Sequence, residues 1–567
     1  MRLRIHLTSN TALRYSTRPG VILLACYLLL VCISVLVTGY GSWISNHAMQ
    51  MPLVDILRDP RLYPNDAFVK TLHDYPVLLW RVVAPLGGFI KMEHILLGGF
   101  VLTRVLMIAA AWMLASTLVP RSRTAALFAM AFMAMAPRPI IGGGTIMPNY
   151  FEQTGLAMPV YLMAMSAFLA QRRYTCALVL ATAVYLNIMY GIFFVVYLVF
   201  FAISERSFFL TWRRWVGPAL LTVLLVLPLA PYTLAAMHPT PYDLDAWLKV
   251  NLIRAPHHMD PLAWRAERWL RIAALAAICL CVTAWCRRTY PVIFRLVASA
   301  TSACVFWTAL SFAARFSRSP SLLTLHSARG TDFFYCLAGI ATAALIAAEL
   351  EQKPDARNGL ILAPAMLALV PQPWYGTAAP FLLAGFAAVA LVLSRPSRVQ
   401  FHRAAAILIA AVLAWGIAQM GSRDWRIIQR HDKEVAEIAD WGKKKTPVDA
   451  VFLINPTWDD FRALAQRSVY LTWKDGGALP WSRPFARLWL DRLDSLGISN
   501  PDKMKHSELG LLSDYYERLD DQSVARIAQR TRLDYWVIDK NHPTTFRTIL
   551  QCKKHKVVEI KQIPGSP

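Results

Sequence analysis

The sequence predicts a polytopic α-helical membrane protein of about thirteen spans, followed by a C-terminal extracytoplasmic α/β domain. Three observations predict it. First, the 567 residues are 56% hydrophobic and only 17% charged, against roughly 25% charged in soluble domains. A water-soluble chain of this length would divide into several domains, each needing a charged surface that this composition cannot supply. Second, apolar runs near the length of a bilayer crossing recur along residues 20–420. Third, the basic residues are sided. The chain carries 59 Lys+Arg against 35 Asp+Glu, a net +24, and a basic balance in such a chain reflects topology rather than nucleic-acid binding. Intrinsic disorder is excluded by the apolar and aromatic content.

The apolar runs fall near 20–40, 94–119, 124–137, 155–171, 175–189, 191–204, 215–237, 271–286, 292–314, 332–349, 358–374, 378–394 and 403–420. The stretch 175–204 is too long for one crossing and is broken at Asn187–Gly191, so it reads as a hairpin. With the N-terminus cytoplasmic (Arg2, Arg4, Arg14, Arg18), the inner connections collect Arg121/Arg123, Arg172/Arg173, Arg206/Arg213/Arg214, Arg287/Arg288, Lys353/Arg357 and Arg395/Arg398/Arg403. Short basic inner loops are what the positive-inside rule requires. Removing the hairpin would invert every later loop, so the odd count stands and the tail lies outside. Arg2–Arg18 and the run after it have no small-residue cleavage site and read as a retained first helix. Eight of the nine Cys lie in or beside apolar runs, where they act as small hydrophobes. Only Cys552 lies in the polar tail, so that tail holds no internal disulfide.

Residues 1–420 thus form the membrane part, with long outer loops at 41–93, 138–154, 238–270 and 315–331. Residues 421–567 form the outer domain. In the first loop, His47–Leu57 has the pattern of an amphipathic helix lying in the interface plane. Asp55, Asp59 and Asp66 follow in a chain otherwise poor in acid. The second loop carries Gly142-Gly143-Gly144, which permits close backbone approach or unusual dihedrals, and then Glu152 at the edge of a span. An ionisable group at membrane depth is a functional candidate. The third loop holds Arg254, His257 and His258. Adjacent imidazoles on an extended segment diverge, which argues against a shared metal; an imidazole-and-arginine cluster suits phosphate oxygens better. Trp264 and Trp269 read as interface anchors. Arg329 closes the fourth loop, either snorkelling to headgroups or ligating an anion. Arg104 and Arg295 carry the same two readings.

The tail alternates in the soluble manner. It suggests a helix over Ile427–Lys443, a strand at Val451–Ile454, a helix over Asp459–Gln466 and a strand at Ser468–Trp473. Further strands are expected at Tyr535–Asp539 and Lys556–Ile560. It has no G-x-G-x-x-G, no nucleophile elbow and no catalytic constellation of its own.

A first span followed by a long outer loop with Asp-Pro-x-Leu-Tyr-Pro-x-Asp (Asp59 to Asp66) resembles the GT-C superfamily of integral-membrane glycosyltransferases. So do the many spans and the outer α/β domain. The resemblance is to a bacterial subgroup sharing Arg-x-Pro-His-His (Arg254 to His258), Thr-Pro-x-Asp-Ala-x-Phe-Leu (Thr446 to Leu453) and Phe-Arg…Arg-Ser-Val-Tyr…Trp-Lys (Phe461 to Lys474). It implies an inner-membrane enzyme that transfers a sugar from a polyprenyl-phosphate-linked donor to an acceptor on the extracytoplasmic face. It further implies that an acid of the first outer loop acts as general base or holds a divalent cation. Asp66 and Asp59 match that role, with Asp55 in reserve and Glu152 as second acid. Arg254, His257, His258 and Arg329 would bind the lipid phosphate. The chain lacks paired acids in the first loop and Trp-Trp-Asp in the tail, which argues against transfer to asparagine side chains and against protein O-mannosylation. Two other classes fit the composition: a lipid or polysaccharide flippase, suggested by the broken run at Asn187–Gly191, and a non-catalytic assembly scaffold working through the outer domain.

Overall fold

The computed structural model describes residues 17–120, 122–134, 141–142, 146–205, 211–231, 241–352, 428–429, 432–498 and 509–560. The expected spans at 358–374, 378–394 and 403–420 lie outside the described residues, as do Gly143, Gly144 and most of the N-terminal arginines.

Within the described chain the long apolar runs are helices. They begin with α1 (Thr17–Thr38), and the first outer loop folds into α2 (His47–Arg58), α3 (Ala67–Thr71) and α4 (Leu78–Leu86). Next come α5 (Met92–Leu118), α6 (Arg123–Ala134), α7 (Gln153–Leu169), α8 (Arg173–Leu186), α9 (Ile188–Ser204) and α10 (Arg213–Val226). The third loop forms α11 (Leu244–Arg254) and the single turn α12 (Pro256–Met259), ahead of α13 (Ala266–Trp285) and α14 (Pro291–Ser317). The fourth holds α15 (Pro320–Thr324) and a 3-10 turn, Ser327–Gly330, that leads into α16 (Thr331–Gln352). Among the described residues, four helices are long and apolar enough to cross a bilayer: Met92–Leu118, Ala266–Trp285, Pro291–Ser317 and the continuous stretch Pro320–Gln352. Shorter apolar helices include Arg123–Ala134, Gln153–Leu169, Arg173–Leu186 and Ile188–Ser204.

The bundle is packed around α16, in which every residue from Thr331 to Leu350 is buried. Its Ala- and Gly-rich face lets neighbours approach closely, as small residues do in membrane helix pairs. A Cβ at Gly339 would collide with the ring of Phe132 on α6. Opposite faces carry the lipid-type exposure: Leu97, Val101, Leu102 and Met113 of α5 all project outward.

The break expected at Asn187–Gly191 falls at Asn187 itself. Its backbone is extended (φ −159°, ψ 99°), ending α8, and its side chain accepts from Tyr190 N to cap α9. Asn187 Nδ2 also donates to Thr154 on α7 at 3.1 Å.

The tail forms α17 (Lys433–Lys445), α18 (Phe461–Ala465), α19 (Phe485–Ser495), α20 (Leu509–Glu517) and α21 (Asp521–Arg530). Its strands are β3 (Val451–Leu453), β4 (Ser468–Val469), β5 (Tyr535–Asp539), β6 (Arg547–Gln551) and β7 (His555–Glu559), after the short β1 (Tyr40–Gly41) and β2 (Ile428–Gln429). The five tail strands make one mixed sheet ordered β4-β3-β5-β7-β6. β3 pairs in parallel with β4 and β5, and β5–β7–β6 run antiparallel. β6 was not foreseen; its outward-facing residues (Arg547, Thr548) give no apolar run. β1 pairs in parallel with β2, Tyr40 opposite Ile428, so the end of α1 and the entry to the tail lie side by side.

A second apolar core joins the first outer loop to the tail. Leu53, Phe68, Trp80 and Phe100 share it with Trp247, Trp473, Trp489 and Trp536. This corrects the reading of His47–Leu57. The segment is helical, but it does not lie on the interface: His47 through Ile56 are all buried. Periodicity gave the helix; the tail covers the face that water or headgroups were expected to meet.

Candidate functional site

Between one end of the bundle and the tail lies a cavity of about 560 Å³. Four strips of chain contribute its polar groups.

The first is the start of α7. Glu152 is its N-cap residue in extended backbone (φ −147°, ψ 159°). Its side chain does not cap the helix. Instead Oε2 accepts from Asn46 Nδ2 at 2.8 Å and from Tyr150 Oη at 3.0 Å. Both bonds fall on one oxygen, so Oε1 keeps its accepting capacity. The loop beneath is pinned by Arg104, fully buried in α5, which donates to Thr38 Oγ1 at 3.1 Å and to Pro148 O. Arg104 is therefore a structural clamp, and Arg295 is held in an ion pair with Glu205 at 2.8 Å.

The second strip is α11–α12. Arg254 ends α11 and donates Nε to Trp473 O at 2.9 Å. Pro256 then starts a single helical turn carrying both histidines. This corrects the extended-segment reading: the two imidazole centroids stand 4.0 Å apart, and both rings line the cavity. His258 Nδ1 bonds to Gly142 O. A carbonyl only accepts, so Nδ1 carries the hydrogen. Burial and the neighbouring cations hold His258 well below its ordinary pKa, leaving Nε2 as a lone-pair acceptor. Gly142 is a glycine for cause: its φ is +83°, and a Cβ would stand 2.7 Å from Ala328 O. Trp264 is not an interface anchor; it is buried and donates to His257 O at 3.1 Å, with Trp269 against it.

The third strip is the turn before α16. His326 sits in the left-handed region (φ 48°, ψ 47°), a costly conformation for a non-glycine residue. Its ring lies parallel to that of His258, centroids 5.4 Å apart. Arg329 follows on the same turn, 5.5 Å over the Tyr190 ring, in the field of Glu152 and Asp332.

The fourth strip belongs to the tail. The 3-10 turn Trp473–Ala478 is fixed by a capping box between Thr472 and Asp475. It brings Lys474, Gly476 and Gly477 to the cavity wall. An apolar side, with Val184, Leu186, Ile188, Met189 and Leu229, is contributed chiefly by the α8–α9 break.

Of the seven residues expected to form a site, the structure brings five together here: Glu152, Arg254, His257, His258 and Arg329. The other two stand elsewhere. Asp66 is fully buried; Oδ1 accepts from Phe68 N and Val69 N at 3.0 Å each, and Oδ2 from Arg462 Nε at 2.7 Å and Val469 N at 2.9 Å. Its lone pairs are spent on fold contacts. Asp59 is gripped by the Arg61 fork, two bonds of 2.9 Å, which holds its carboxyl down at about 2. A group so acidic is a poor base near neutrality. Asp55, the reserve, is enclosed by Tyr63 Oη at 2.7 Å and Gln466 Nε2 at 3.1 Å.

Sequence reasoning missed Lys474, His326, Asn46 and Tyr150. Lys474 closes the Trp-Lys motif, but the tail was read as a separate body, and nothing local places it at the bundle. As for a divalent cation, no three His, Cys, Asp or Glu side chains are grouped to hold one among the described residues. Asp66 and Asp59 are already claimed by arginines, so the residues present do not fit such a site.

A family model described as a domain of unknown function, DUF6798, matches residues 433–496, the stretch holding Arg462, Lys474 and Asp475. No curated protein matches the chain in sequence. Among solved structures, the chain is similar to apo ArnT from Cupriavidus metallidurans at 14% identity and TM-score 0.44, covering 96% of this chain and 98% of that one. It is also similar to an Archaeoglobus fulgidus oligosaccharyltransferase tethered to an acceptor peptide, at 12% identity and TM-score 0.39, covering 91% of this chain and 69% of that one. Both likenesses are distant.

Proposed function

We propose that this chain is a membrane glycosyltransferase that moves a sugar from a polyprenyl-phosphate-linked donor to an acceptor hydroxyl on the extracytoplasmic side of a bacterial inner membrane. In this reading the N-terminus is cytoplasmic, about thirteen helices span, and residues 421–567 form the outer α/β domain. The observation that carries it is one cavity holding a single lining carboxylate, Glu152, among Arg254, His257, His258 and Arg329, beside an apolar wall. That is the chemistry an anionic lipid-linked donor and a hydroxyl acceptor require. A scaffold has no need of an acid set among cations in an enclosed site.

Glu152 takes the acceptor hydroxyl proton as the acceptor oxygen attacks the anomeric carbon. The bond from that carbon to the phosphate oxygen breaks, and its electron pair leaves with the polyprenyl phosphate. The fixed orientation of Glu152 by Asn46 and Tyr150 aims one oxygen at the proton. Arg254 and Arg329 stabilise the charge on the departing phosphate, the electrostatic effect that usually dominates such transfers. The apolar wall at Leu186–Met189 receives the first isoprene units. No step is routed through a metal.

The test is Glu152→Gln in the full-length, membrane-inserted protein, assayed with a radiolabelled polyprenyl-phosphate sugar. Turnover falls by about 10²–10⁴-fold, the usual worth of a general base, while donor binding is kept. Turnover at the wild-type rate would remove Glu152 from the role and the reading with it.

A further inference from the structure

Lys474 lines the same cavity from the tail, and its position is set by an unusually well-held turn. Asp475, next to it, accepts from Thr472 N and Oγ1 at 2.9 and 2.7 Å and grips both Arg462 Nη atoms at 2.8 Å. Arg462 is in turn anchored on Asp66 of the first outer loop. On its other side Gly476 packs closely, a Cβ there meeting Trp489 at 3.0 Å and Arg254 Cγ at 3.3 Å. So rigid a mount presents the lysine, yet among the described residues nothing hydrogen-bonds its ammonium. Lys474 is half-buried at the cavity wall, and an ammonium there without a protein acceptor is placed to make a charge-assisted bond to a ligand anion.

We propose that Lys474 is a further ligand of the donor phosphate, which makes the tail a working part of the binding site. The proposal rests on the donor class argued above. It follows from three things together: enclosure in the cavity, the neighbouring Arg254, and the absence of a protein acceptor for Nζ. Burial and Arg254 pull the lysine down to about 8, with Asp459 and Glu152 acting the other way. The groups that face it are Arg254 of α11, Asp459 ahead of α18 and Glu152 of α7. Across the cavity stand His257, His258, His326, Arg329, Tyr75 and Tyr150. Between pH 7 and 9.5 Asp459, at about 6, is already ionised, the arginines stay charged, and burial holds Tyr75 up at about 12 and raises Tyr150. His258 is neutral throughout. A phosphate monoester keeps one charge state above its second pKa near 6. Lys474 changes charge in that window, and binding weakens as pH rises through about 8.

The experiment measures binding of a polyprenyl monophosphate to the full-length protein in lipid nanodiscs by tryptophan fluorescence, from pH 7 to 9.5. Wild-type affinity falls across the window. Lys474→Gln weakens binding about tenfold at pH 7, the scale of one charge-assisted bond, and flattens the profile. Lys474→Arg keeps the affinity and also flattens the profile, because guanidinium stays protonated. Arg329→Gln serves as the control. If it weakens binding while Lys474→Gln leaves affinity and profile as in wild type, the Lys474 assignment is wrong and the donor reading survives. If neither variant changes affinity, both fail.

Discussion

Asp66 and Glu152 are both buried carboxylates, and what separates their roles is how much of each is already engaged. Asp66 accepts from three backbone amides and an arginine; Glu152 accepts two bonds on one oxygen. Sequence shows the acids but not their partners. Arg462 lies 396 positions from Asp66, beyond any local pattern, and this is why the first-loop acid looked catalytic. Asp66→Asn breaks a fully buried ion pair and leaves Arg462 half-compensated. It should cost about 3–5 kcal/mol, read as a lowered thermal unfolding midpoint, and any lost activity would follow from the tail's displacement. A normal midpoint with abolished turnover would instead return Asp66 to the chemistry. Glu152 stood out in the sequence as an ionisable group at the edge of a span, and Arg254, His257, His258 and Arg329 as groups suited to an anion; that the five line one cavity is set by the fold.

At the scale of elements, periodicity identified helices and strands well and their surroundings poorly. Strands were found at Val451 and Tyr535, and the helix break was found at Asn187, because apolar runs and caps are local signals. What covers a helix is not local. The polar side of α2 was expected to meet headgroups, and it meets the tail. Asp55 is the residue that registers the difference: burial pushes its carboxyl up to about 6 against the hydrogen bonds of Tyr63 and Gln466. A carboxyl raised in the folded state contributes stability that is complete below its unfolded pKa and is lost as pH climbs through the folded value. For Asp55 that window runs from about pH 4 to 6. Asp55→Asn, neutral throughout, should therefore gain on wild type as pH rises from 4 to 7. The gain is up to about 3 kcal/mol by the two-unit difference, measured as the gap between thermal midpoints. A gap that stays constant with pH would mean that Asp55 is solvated, as the interfacial reading had it.

Taken whole, the molecule has a bundle core that hydropathy foretells and an outer core that it does not. The second core is assembled from residues as far apart as Leu53, Trp247 and Trp536, and such long-range packing leaves no trace in a sliding window. Cutting the chain after residue 431 would strip this core of its sheet and uncover Phe68, which packs against Phe485, and Trp247, which donates to Leu479 O. The truncated protein should still insert, because its spanning helices pack around α16. Its loop 41–93, however, should become open to trypsin at Arg58, Arg61 and Lys70, where the full chain resists. Equal resistance in both would show that the loop holds its shape without the tail.

The parallel pairing of Tyr40–Gly41 with Ile428–Gln429 has a consequence for biogenesis. A ribosome delivers Tyr40 and Gly41 long before Ile428 and Gln429. The early strand therefore waits, unpaired, until Ile428 and Gln429 have been made. Lys474, the Asp66–Arg462 bridge and the roof over Glu152 all arrive after that closure. A copy that stops short of the tail would therefore lack a finished pocket.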